Sequence, residues 1–435
     1  MRLTIRQMTT IAAALMLAAC GRGHPVPAGS YGAHPVLPAP DKSLLPTVNF
    51  SSAEAWPAGA APLAPKGFTV TRFAEGLAHP RWIYVLPNGD VLVAESSTVP
   101  GPPKSLQDRL QAWLQRNEGS RRPSANRITL LRASDGKVVT RTIFLSGLNQ
   151  PFGMALAKGF FYVANTDGVW RYPYRDGETA IADKGEKILS LPAGGYNNHW
   201  TRNLMVSADG NKLFVTVGSS SNVGENGIAE ERRRANVIEI NLDGSGEHLV
   251  ASGMRNPNGL GYEPKTGALW TVVNERDMLG DDLVPDYLTR VRDGDFYGWP
   301  WSYWGGHVDE RVKPPRPDLV AKAIAPDYAL GPHVAPLGMT FYTGDAFPAH
   351  YRGGLFVGEH GSWNRAAFSG YRVVYVPFAN GMPSGAPEDF LTGFLHDPDK
   401  GIAYGRPVGV AVDHDGALLV ADDTGNIVWR VAAMP

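Results

Sequence analysis

The residues with the clearest capacity for chemistry form an acidic cluster in the stretch VNERDMLGDD, residues 273–282. The cluster follows an apolar segment, GALWTVV, which predicts a buried strand. Carboxylates and backbone carbonyls are the hard oxygen ligands that Ca²⁺ prefers, so the cluster is a candidate part of a calcium site. The spacing is not that of an EF-hand, and a solvated acidic turn neutralised by its own arginine is the competing interpretation. The members of the cluster are Glu275, Arg276, Asp277, Asp281 and Asp282.

A second candidate is His199, in the polar run YNNHWTRN. Histidine is the side chain best suited to general base catalysis near neutral pH. A single histidine is more often a structural residue with a satisfied hydrogen bond, and the polar run alone leaves both interpretations open.

Other polar residues stand at comparable places along the chain. Arg255 and Asn256 lie in GMRNPNG, His360 lies in GEHGSWNR, and Arg406 precedes a Pro-Val-Gly sequence. Glu95 ends an apolar strand in the same way as the acidic cluster does. Charged groups at such positions are costly to bury unpaired, so ligand or metal partners are expected.

The elements that position these residues are six repeated β units. Each unit has a Pro or polar turn, an apolar strand, a turn rich in Asp, Asn or Gly, and a second apolar strand. The six units are PRWIYVLPNGDVLVAES, PFGMALAKGFFYVANTDGVWRY, RNLMVSADGNKLFVTVGSS, PNGLGYEPKTGALWTVVNE, PLGMTFYTGDAFPAHYRGGLFVGEHG and PVGVAVDHDGALLVADDTGNIVWRV. The pattern predicts an all-β fold, a six-bladed β-propeller with loop insertions, in preference to a set of β-sandwiches. In a propeller the ends of the repeats meet around a central channel, where the candidate residues would converge.

Two further expectations concern strand pairing and one insertion. The last strand, NIVWRV, is expected to pair with the early strand GFTVTRF and so close the ring. The insertion SLQDRLQAWLQRN (residues 105–117) predicts one short helix, because its leucines and tryptophan fall on one face. That face is expected to pack on its own domain.

The segment FYGWPWSYWGG (residues 296–306) has six aromatic residues within nine positions. Loop packing and a platform for a flat cofactor or a sugar ring are both consistent with it.

Composition excludes some classes of function. The chain has 435 residues and a formal charge of −1, with no block of Lys or Arg. A nucleic-acid partner is therefore not expected.

The N-terminus predicts a targeting signal. Arg2 and Arg6 precede the apolar run IAAALMLAA, which is too short to span a bilayer and ends in LAAC at Cys20. This sequence resembles the bacterial lipobox, in which the cysteine is lipidated; a cleaved signal peptide with a chance cysteine is the alternative. We therefore expect a lipoprotein signal peptide over residues 1–19, a loose Pro/Ala/Gly-rich tether over 20–60 and the propeller over 61–435. The expected location is the bacterial envelope, as a periplasmic lipoprotein anchored in the outer membrane.

Longer motifs carry a resemblance to a known family. The chain resembles the glucose/sorbosone dehydrogenase family, whose members use pyrroloquinoline quinone (PQQ) on a six-bladed propeller. It is most similar to the sorbosone dehydrogenase-like branch, related to PQQ-dependent pyranose dehydrogenases. The motifs that carry the resemblance are PSANRITLLR, YNNHWTRN, SGMRNPNGLG, WTVVNERDMLGDDLVPDYLT, DFYGWPWSYWG, GEHGSWNR and YGRPVGVAVD.

The resemblance implies a role for each candidate residue. His199 matches the general base. Arg255, Asn256, His360 and Arg406 match positions at the quinone, and the acidic cluster matches the loop that supplies Ca²⁺ ligands, in part through backbone carbonyls.

Three positions depart from the glucose dehydrogenases. Asn198 stands where they have an aspartate, His360 where they have a lysine, and Val408 where they have a second arginine. These departures leave open how the quinone carboxylates are held and which sugar is chosen.

The activity implied is oxidation of a sugar or sugar aldehyde by hydride transfer to PQQ, aided by Ca²⁺ as a Lewis acid. Electrons would pass to a quinone or a cytochrome of the envelope. A calcium-dependent lactonase-like hydrolase is one alternative, and it leaves the arginines and the aromatic segment unexplained. A non-catalytic propeller that binds protein or glycan is the other, and it gives His199 no role in turnover.

Overall fold

The computed structural model describes residues 23–43, 47–99 and 123–434. Its architecture is mostly β and propeller-like: six antiparallel sheets follow one another along the chain and correspond to the six repeated units. The predicted helix over residues 105–117 lies outside the described residues. No helix in the described part of the chain is long and apolar enough to cross a membrane.

The N-terminal arm, residues 23–64, precedes the repeated units. It contains a 3₁₀ helix at Ala28–Ser30 and two short strands, β1 (Tyr31–Gly32) and β2 (Ser52–Ala53). The next strand, β3 (Phe68–Ala74), belongs to the last sheet.

Sheets I and II are four-stranded meanders. Sheet I consists of β4 (Pro80–Val85), β5 (Val91–Glu95), β6 (Arg127–Ser134) and β7 (Lys137–Leu145). Sheet II consists of β8 (Met154–Ala157), β9 (Phe160–Asn165), β10 (Gly168–Pro173) and β11 (Glu186–Ser190).

Sheets III and IV follow the same order with additions. Sheet III consists of β12 (Leu204–Val206), β13 (Lys212–Val217), β14 (Asn236–Asn241) and β15 (His248–Ser252), with a 3₁₀ helix at Ile228–Glu231. Sheet IV begins with β16 (Asn256–Tyr262), β17 (Leu269–Asn274) and β18 (Pro285–Arg290). An insertion then contains β19 (Asp295–Phe296), β20 (Ser302–Tyr303), β21 (His307–Val308) and the helix α1 (Pro317–Val320). Strand β22 (Tyr328–Pro332) completes sheet IV, where β1 pairs with it, while β19 pairs with β15 of sheet III.

Sheets V and VI end the chain. Sheet V consists of β23 (Pro336–Phe341), β24 (Leu355–Glu359), β25 (Arg372–Val376) and β28 (Glu388–Leu391), with a 3₁₀ helix at Ala349–Tyr351. Between β25 and β28 the strands β26 (Phe378–Ala379) and β27 (Met382–Pro383) form a separate hairpin. Strands β29 (Leu395–Asp397) and β30 (Ile402–Ala403) form a small sheet with β2. Sheet VI consists of β31 (Pro407–Val412), β32 (Leu418–Asp422) and β33 (Ile427–Ala433) together with β3.

The predicted pairing of the last strand with an early strand is confirmed. Strand β3 pairs with β33, with Val70 opposite Val431 and Thr71 opposite Arg430. A strand from the start of the chain thus completes the last sheet as its outermost strand, and β33 has a neighbour on both sides.

The hydrophobic core is divided among the junctions between consecutive sheets. The largest cluster joins sheets V and VI and includes Phe356, Phe390 and Trp429, while another joins sheets VI and I through Leu419 and Ile83. First strands such as β16 are buried on both faces because each packs against both neighbouring sheets, whereas the outer strand β7 alternates between exposed and half-buried residues.

The N-terminal arm differs from the loose tether predicted for residues 20–60. Trp56 is buried against the rings of Phe394, Tyr404 and Trp429, and its indole Nε1 donates a hydrogen bond of 2.7 Å to Asp422 Oδ2. Strand β1 extends sheet IV, with Tyr31 opposite Leu330. Composition favoured a flexible segment, but a few aromatic and apolar residues are enough to hold it against the sheets.

Candidate active site

The candidate residues lie at one end of the sheets. In an antiparallel pair the start of one strand and the end of the next lie at the same end of the sheet. His199 and Arg406 precede the first strands β12 and β31, Arg255 and Asn256 stand at the start of β16, and His360 follows the second strand β24. The acidic loop follows the second strand β17 in the same way. We call this end of the sheets the mouth side.

His199 is held in one tautomer by its neighbours. Its Nδ1 lies 3.0 Å from the carbonyl oxygen of Ser219 and 2.8 Å from Ser219 Oγ. The Ser219 hydroxyl donates its own hydrogen to the carbonyl of Ser221 at 2.7 Å, so both groups facing Nδ1 are acceptors. The proton therefore sits on Nδ1, and Nε2 carries the free electron pair. Nε2 has the amide nitrogen of Asn198 at 3.5 Å, too long for a strong hydrogen bond.

The surroundings also keep His199 neutral. Burial, together with the positive charge of Arg255, holds the pKa of the imidazole well below its ordinary value, and this outweighs the opposite effect of Asp277. A neutral imidazole with a free Nε2 is the form that accepts a proton.

Arg255 lies in a network of acceptors beside the histidine. Its guanidinium donates to the carbonyl of Glu275 at 2.7 Å, to Asp277 Oδ2 at 2.7 Å and to the carbonyl of Asn222 at 3.2 Å. The backbone N–H of Ser219 donates to the carbonyl of Arg255 at 2.8 Å, so the loop that orients His199 is attached to the arginine strand.

Asp277 lies between two basic groups. Opposite its bond to Arg255, its Oδ1 lies 3.6 Å from Nδ1 of His333, whose Nε2 contacts the carbonyl of Gly280 at 3.0 Å. Burial alone would raise the pKa of Asp277, but Arg255 and His333 hold it below the ordinary value. The carboxylate is therefore ionised.

Asn256 has an unsatisfied polar atom at the same place. Its Oδ1 is buried and has no hydrogen-bond partner, while its amide nitrogen lies 3.3 Å from Asn274 Oδ1. A Cβ at Gly218 would lie 2.5 Å from this Oδ1 and 2.6 Å from the His199 Cβ, so only glycine permits the close approach of these two side chains.

A second group of charges surrounds Asp423. This fully buried carboxylate accepts a short hydrogen bond from Arg81 and lies 2.9 Å from His360 Nε2 and 3.5 Å from His79 Nδ1. Arg406 lies beside it and donates to the carbonyl of His360 at 2.9 Å. Burial and the charge of Arg406 lower the pKa of His360 to about 3, so its imidazole is neutral.

The two groups are neighbours on the mouth side. The guanidinium of Arg81 lies 5.5 Å above the ring of Trp200, which directly follows His199. Trp299 of the aromatic segment donates its indole hydrogen to the carbonyl of Asn222 at 2.9 Å, beside Arg255. Three arginines (Arg81, Arg255 and Arg406) thus share the mouth side with two paired carboxylates.

Apart from Asp277, the residues of the acidic cluster form two pairs with different structural roles. Glu275 and Arg276 are buried and bonded to each other at 2.8 Å, and Arg276 donates to the carbonyls of Pro300 and Ser302, so it holds the aromatic segment in place. The side chains of the last two acids point toward another loop: Asp281 accepts from the N–H of Ala366 at 3.0 Å and Asp282 from Arg365 at 3.1 Å. Across the described ranges, no three His, Cys, Asp or Glu side chains are grouped closely enough to hold a metal ion.

Sequence reasoning missed several members of the site. They are Arg81, Ser219, Asn222, His333 and Asp423. Two of them had a usable signal, since Arg81 follows the first residue of a unit and Asp423 directly follows the second strand of another. The other three lie in connecting loops without a distinctive pattern.

Comparison with known proteins places the fold and the site in a class. The family model described as glucose/sorbosone dehydrogenase matches residues 163–362, and a model described as TrAA12-like matches residues 319–433. Residues 163–362 of the chain thus match a glucose/sorbosone dehydrogenase domain.

Individual relatives agree with this assignment. An uncharacterized protein of Borreliella burgdorferi is 31% identical in an alignment of 295 residues that covers 65% of this chain and 76% of that protein. A pyrroloquinoline quinone-dependent pyranose dehydrogenase of Coprinopsis cinerea is 34% identical in an alignment of 339 residues that covers 62% of this chain and 44% of that protein. The chain therefore spans less than half the length of this fungal relative.

A solved structure shares the fold. The holo form of the PQQ domain of pyranose dehydrogenase from Coprinopsis cinerea superposes with a TM-score of 0.67 at 21% identity, covering 88% of this chain and 100% of that domain.

Proposed function

We propose that the protein is a PQQ- and Ca²⁺-dependent dehydrogenase that oxidises a sugar or a sugar aldehyde, with His199 as the general base. The observation that carries this proposal is the state of His199: Nδ1 faces the Ser219 acceptors, Nε2 is unprotonated with only a long contact of 3.5 Å to the Asn198 amide, and the imidazole is neutral. Such a group removes the proton of a substrate hydroxyl, or of the hydrate of an aldehyde, as the carbon-bound hydride departs.

The charges of the mouth side support an acidic quinone as cofactor. Arg81 and Arg255 each contact a carboxylate of this region, and Arg406 donates to the carbonyls of His360 and Gly361, so a quinone carboxylate would meet guanidinium groups here. The buried Oδ1 of Asn256 lacks a partner, which a donor group on a ligand would supply. When bound, PQQ supplies the hydride acceptor and Ca²⁺ polarises it as a Lewis acid.

Asp277 is the residue that we assign to the calcium. It is ionised and sits at the mouth side, whereas the side chains of Glu275, Arg276, Asp281 and Asp282 are engaged elsewhere. One carboxylate is too few ligands for Ca²⁺, which takes six to eight oxygens. Backbone carbonyls, cofactor oxygens and water would complete the set.

We also infer that the six sheets are the blades of a six-bladed propeller. The first strands of the sheets contact one another in order, and β31 of sheet VI contacts β4 of sheet I. This arrangement supports a ring with the mouth side at one end of its axis.

The cellular setting that we propose is the periplasmic side of the envelope, with Cys20 lipidated and the protein anchored in the outer membrane. A quinone or a cytochrome of the envelope would then receive the electrons. A Cys20→Ser variant is expected to leave the membrane fraction or to remain unprocessed. Fractionation and processing like the parent would contradict the lipid anchor.

The enzymatic proposal is tested by reconstitution. Purified protein is incubated with PQQ and Ca²⁺, aldoses or sugar aldehydes are added with a redox dye, and lactone hydrolysis is assayed in parallel. Dye reduction that requires PQQ supports the dehydrogenase. Lactone hydrolysis without PQQ would support a lactonase, and neither activity would support a binding propeller.

A further inference from the structure

The N-terminal arm is attached to the mouth side at its very first described residues. The backbone of Gly23 lies so close to the loop after β24 that a Cβ would be 2.1 Å from the Ala367 nitrogen. The next residue, His24, accepts a hydrogen bond of 2.7 Å on its carbonyl from Arg365 and has its Nε2 3.3 Å from Asp282.

The arm touches the same loop a second time further along. The backbone N–H of Asn49 donates to the carbonyl of Trp363 at 2.8 Å, and its side-chain amide donates to the carbonyl of Ala366 at 2.7 Å. The ring of Phe50 stacks on Trp363 with the centroids 5.6 Å apart. Two separate stretches of the arm therefore hold one loop, residues 361–369.

This loop borders the candidate active site. It directly follows His360, and Arg406 donates to the carbonyls of both His360 and Gly361 at 2.9 Å. The first described residue of the arm, Gly23, is thus on the mouth side, not on the end where the hairpin turns lie.

The length of chain beyond that point is very short. Only two residues separate Cys20 from Gly23, and three residue steps span at most roughly 10 Å. A loose tether of the predicted 40 residues would instead have a root-mean-square length of roughly 35 Å and would leave the body free to turn. The docked arm removes that freedom.

Exposed apolar side chains accompany the attachment point. Val48 is 44% exposed next to the contact of Asn49, Tyr196 is 51% exposed close to His199, and Val99 is 58% exposed a few residues after β5. All three lie in mouth-side segments.

We propose that the mouth side of the protein is held against the surface of a lipid bilayer when Cys20 carries its lipid. The inference rests on the lipid anchor proposed above. A lipid on Cys20 would insert within roughly 10 Å of Gly23, and Gly23 contacts the mouth-side loop, residues 361–369.

The orientation is measured with a matched pair of labels in the full-length, lipidated protein. Val48→Cys places a thiol on the mouth side, and Thr343→Cys places one in the exposed turn between β23 and β24 at the opposite end of sheet V. Cys20 is the chain's only cysteine, so a fluorophore reacts only with the introduced thiol once Cys20 is modified. The proteins are incorporated into vesicles of phosphatidylethanolamine and phosphatidylglycerol that contain a head-group spin-labelled lipid.

We expect the spin label to quench the residue 48 fluorophore at least threefold more than the residue 343 fluorophore. In labelled variants that also carry Cys20→Ser, neither fluorophore should be quenched. Equal quenching at the two positions, stronger quenching at residue 343, or a mass spectrum without lipid on Cys20 would each overturn the proposal. Dye reduction with PQQ and Ca²⁺ is measured on the same samples, so a protein that is oriented but inactive refutes the enzymatic proposal alone.

Discussion

Replacing His199 by glutamine tests the catalytic proposal at one atom. Glutamine keeps a similar volume, and its amide can still donate toward Ser219. It cannot accept a proton, so the variant lacks the free electron pair that Nε2 presents on the mouth side. The side chain is only half-buried and belongs to no hydrophobic cluster, so the fold is expected to be preserved.

The expected loss follows from the role of a general base. Positioned general bases contribute about 100- to 10,000-fold to rate, which corresponds to about 2.7–5.4 kcal/mol of transition-state stabilisation. We expect turnover of His199→Gln to fall by a factor in this range, with PQQ and Ca²⁺ affinity unchanged because the imidazole contacts Ser219 and not the arginines.

The pH profile of the parent provides an independent check. The base is active when neutral, and burial together with the charge of Arg255 holds the pKa of His199 well below 6.5. Activity should therefore be constant through neutral pH and fall only when the solution is made clearly more acidic than pH 6.5, as the imidazole gains a proton. This acidic limb should be absent from the residual activity of the variant.

Turnover is measured by dye reduction at saturating sugar, and cofactor binding by titration of the apoprotein with PQQ. His414→Gln is the matched control, because His414 is an exposed histidine in a turn at the opposite end of sheet VI and should behave like the parent. Near-parent turnover of His199→Gln would refute the assignment of the base. Loss of PQQ binding together with activity would make His199 a cofactor ligand instead.

Three other changes address the surroundings of the site. Ser219→Ala removes one of two acceptors at His199 Nδ1, a bond worth about 0.5–1.5 kcal/mol, so turnover should fall about two- to tenfold with a shifted acidic limb; an unchanged profile would deny Ser219 a positioning role. Asp277→Asn removes the ionised carboxylate beside Arg255, so the free energy of unfolding should fall by up to about 3–5 kcal/mol because a buried charge loses its partner. The stabilisation by Ca²⁺ that we expect for the parent should also disappear. A variant that retains its metal content would place the calcium site elsewhere. Trp56→Ala should lower the free energy of unfolding, measured by denaturant titration, by about 3–5 kcal/mol. Trp56→Phe should lower it by only about 1 kcal/mol, because it loses the hydrogen bond to Asp422 but keeps a ring. Equal losses would show that the hydrogen bond, not the ring, anchors the arm.

The sequence by itself determined the β architecture and the placement of the candidate residues along it. Alternating apolar residues and hairpin turns recur in each of the six units. Both are local properties, because they depend on neighbouring residues. Strand pairing between the two ends of the chain was also predictable, because a repeat that begins with one unpaired strand and ends with another must join them. His199 and Arg255 could be singled out for the same reason, since polar residues at the ends of apolar strands are conspicuous.

Only the tertiary structure decided what those residues do to each other. The tautomer and the lowered pKa of His199 depend on Ser219 and Arg255, which are 20 and 56 positions away in the chain. The acidic cluster is contiguous in sequence, yet Asp277 points to Arg255 while Asp281 and Asp282 point to another loop, because successive side chains of an irregular loop take directions that composition does not encode. The arm was misjudged for a related reason: its Pro- and Gly-rich composition describes local flexibility, whereas its position is set by the burial of Trp56 against sheets formed hundreds of residues later. Contacts between distant segments are stabilised by burial and charge pairing in three dimensions, and a local sequence pattern does not show which segments will meet.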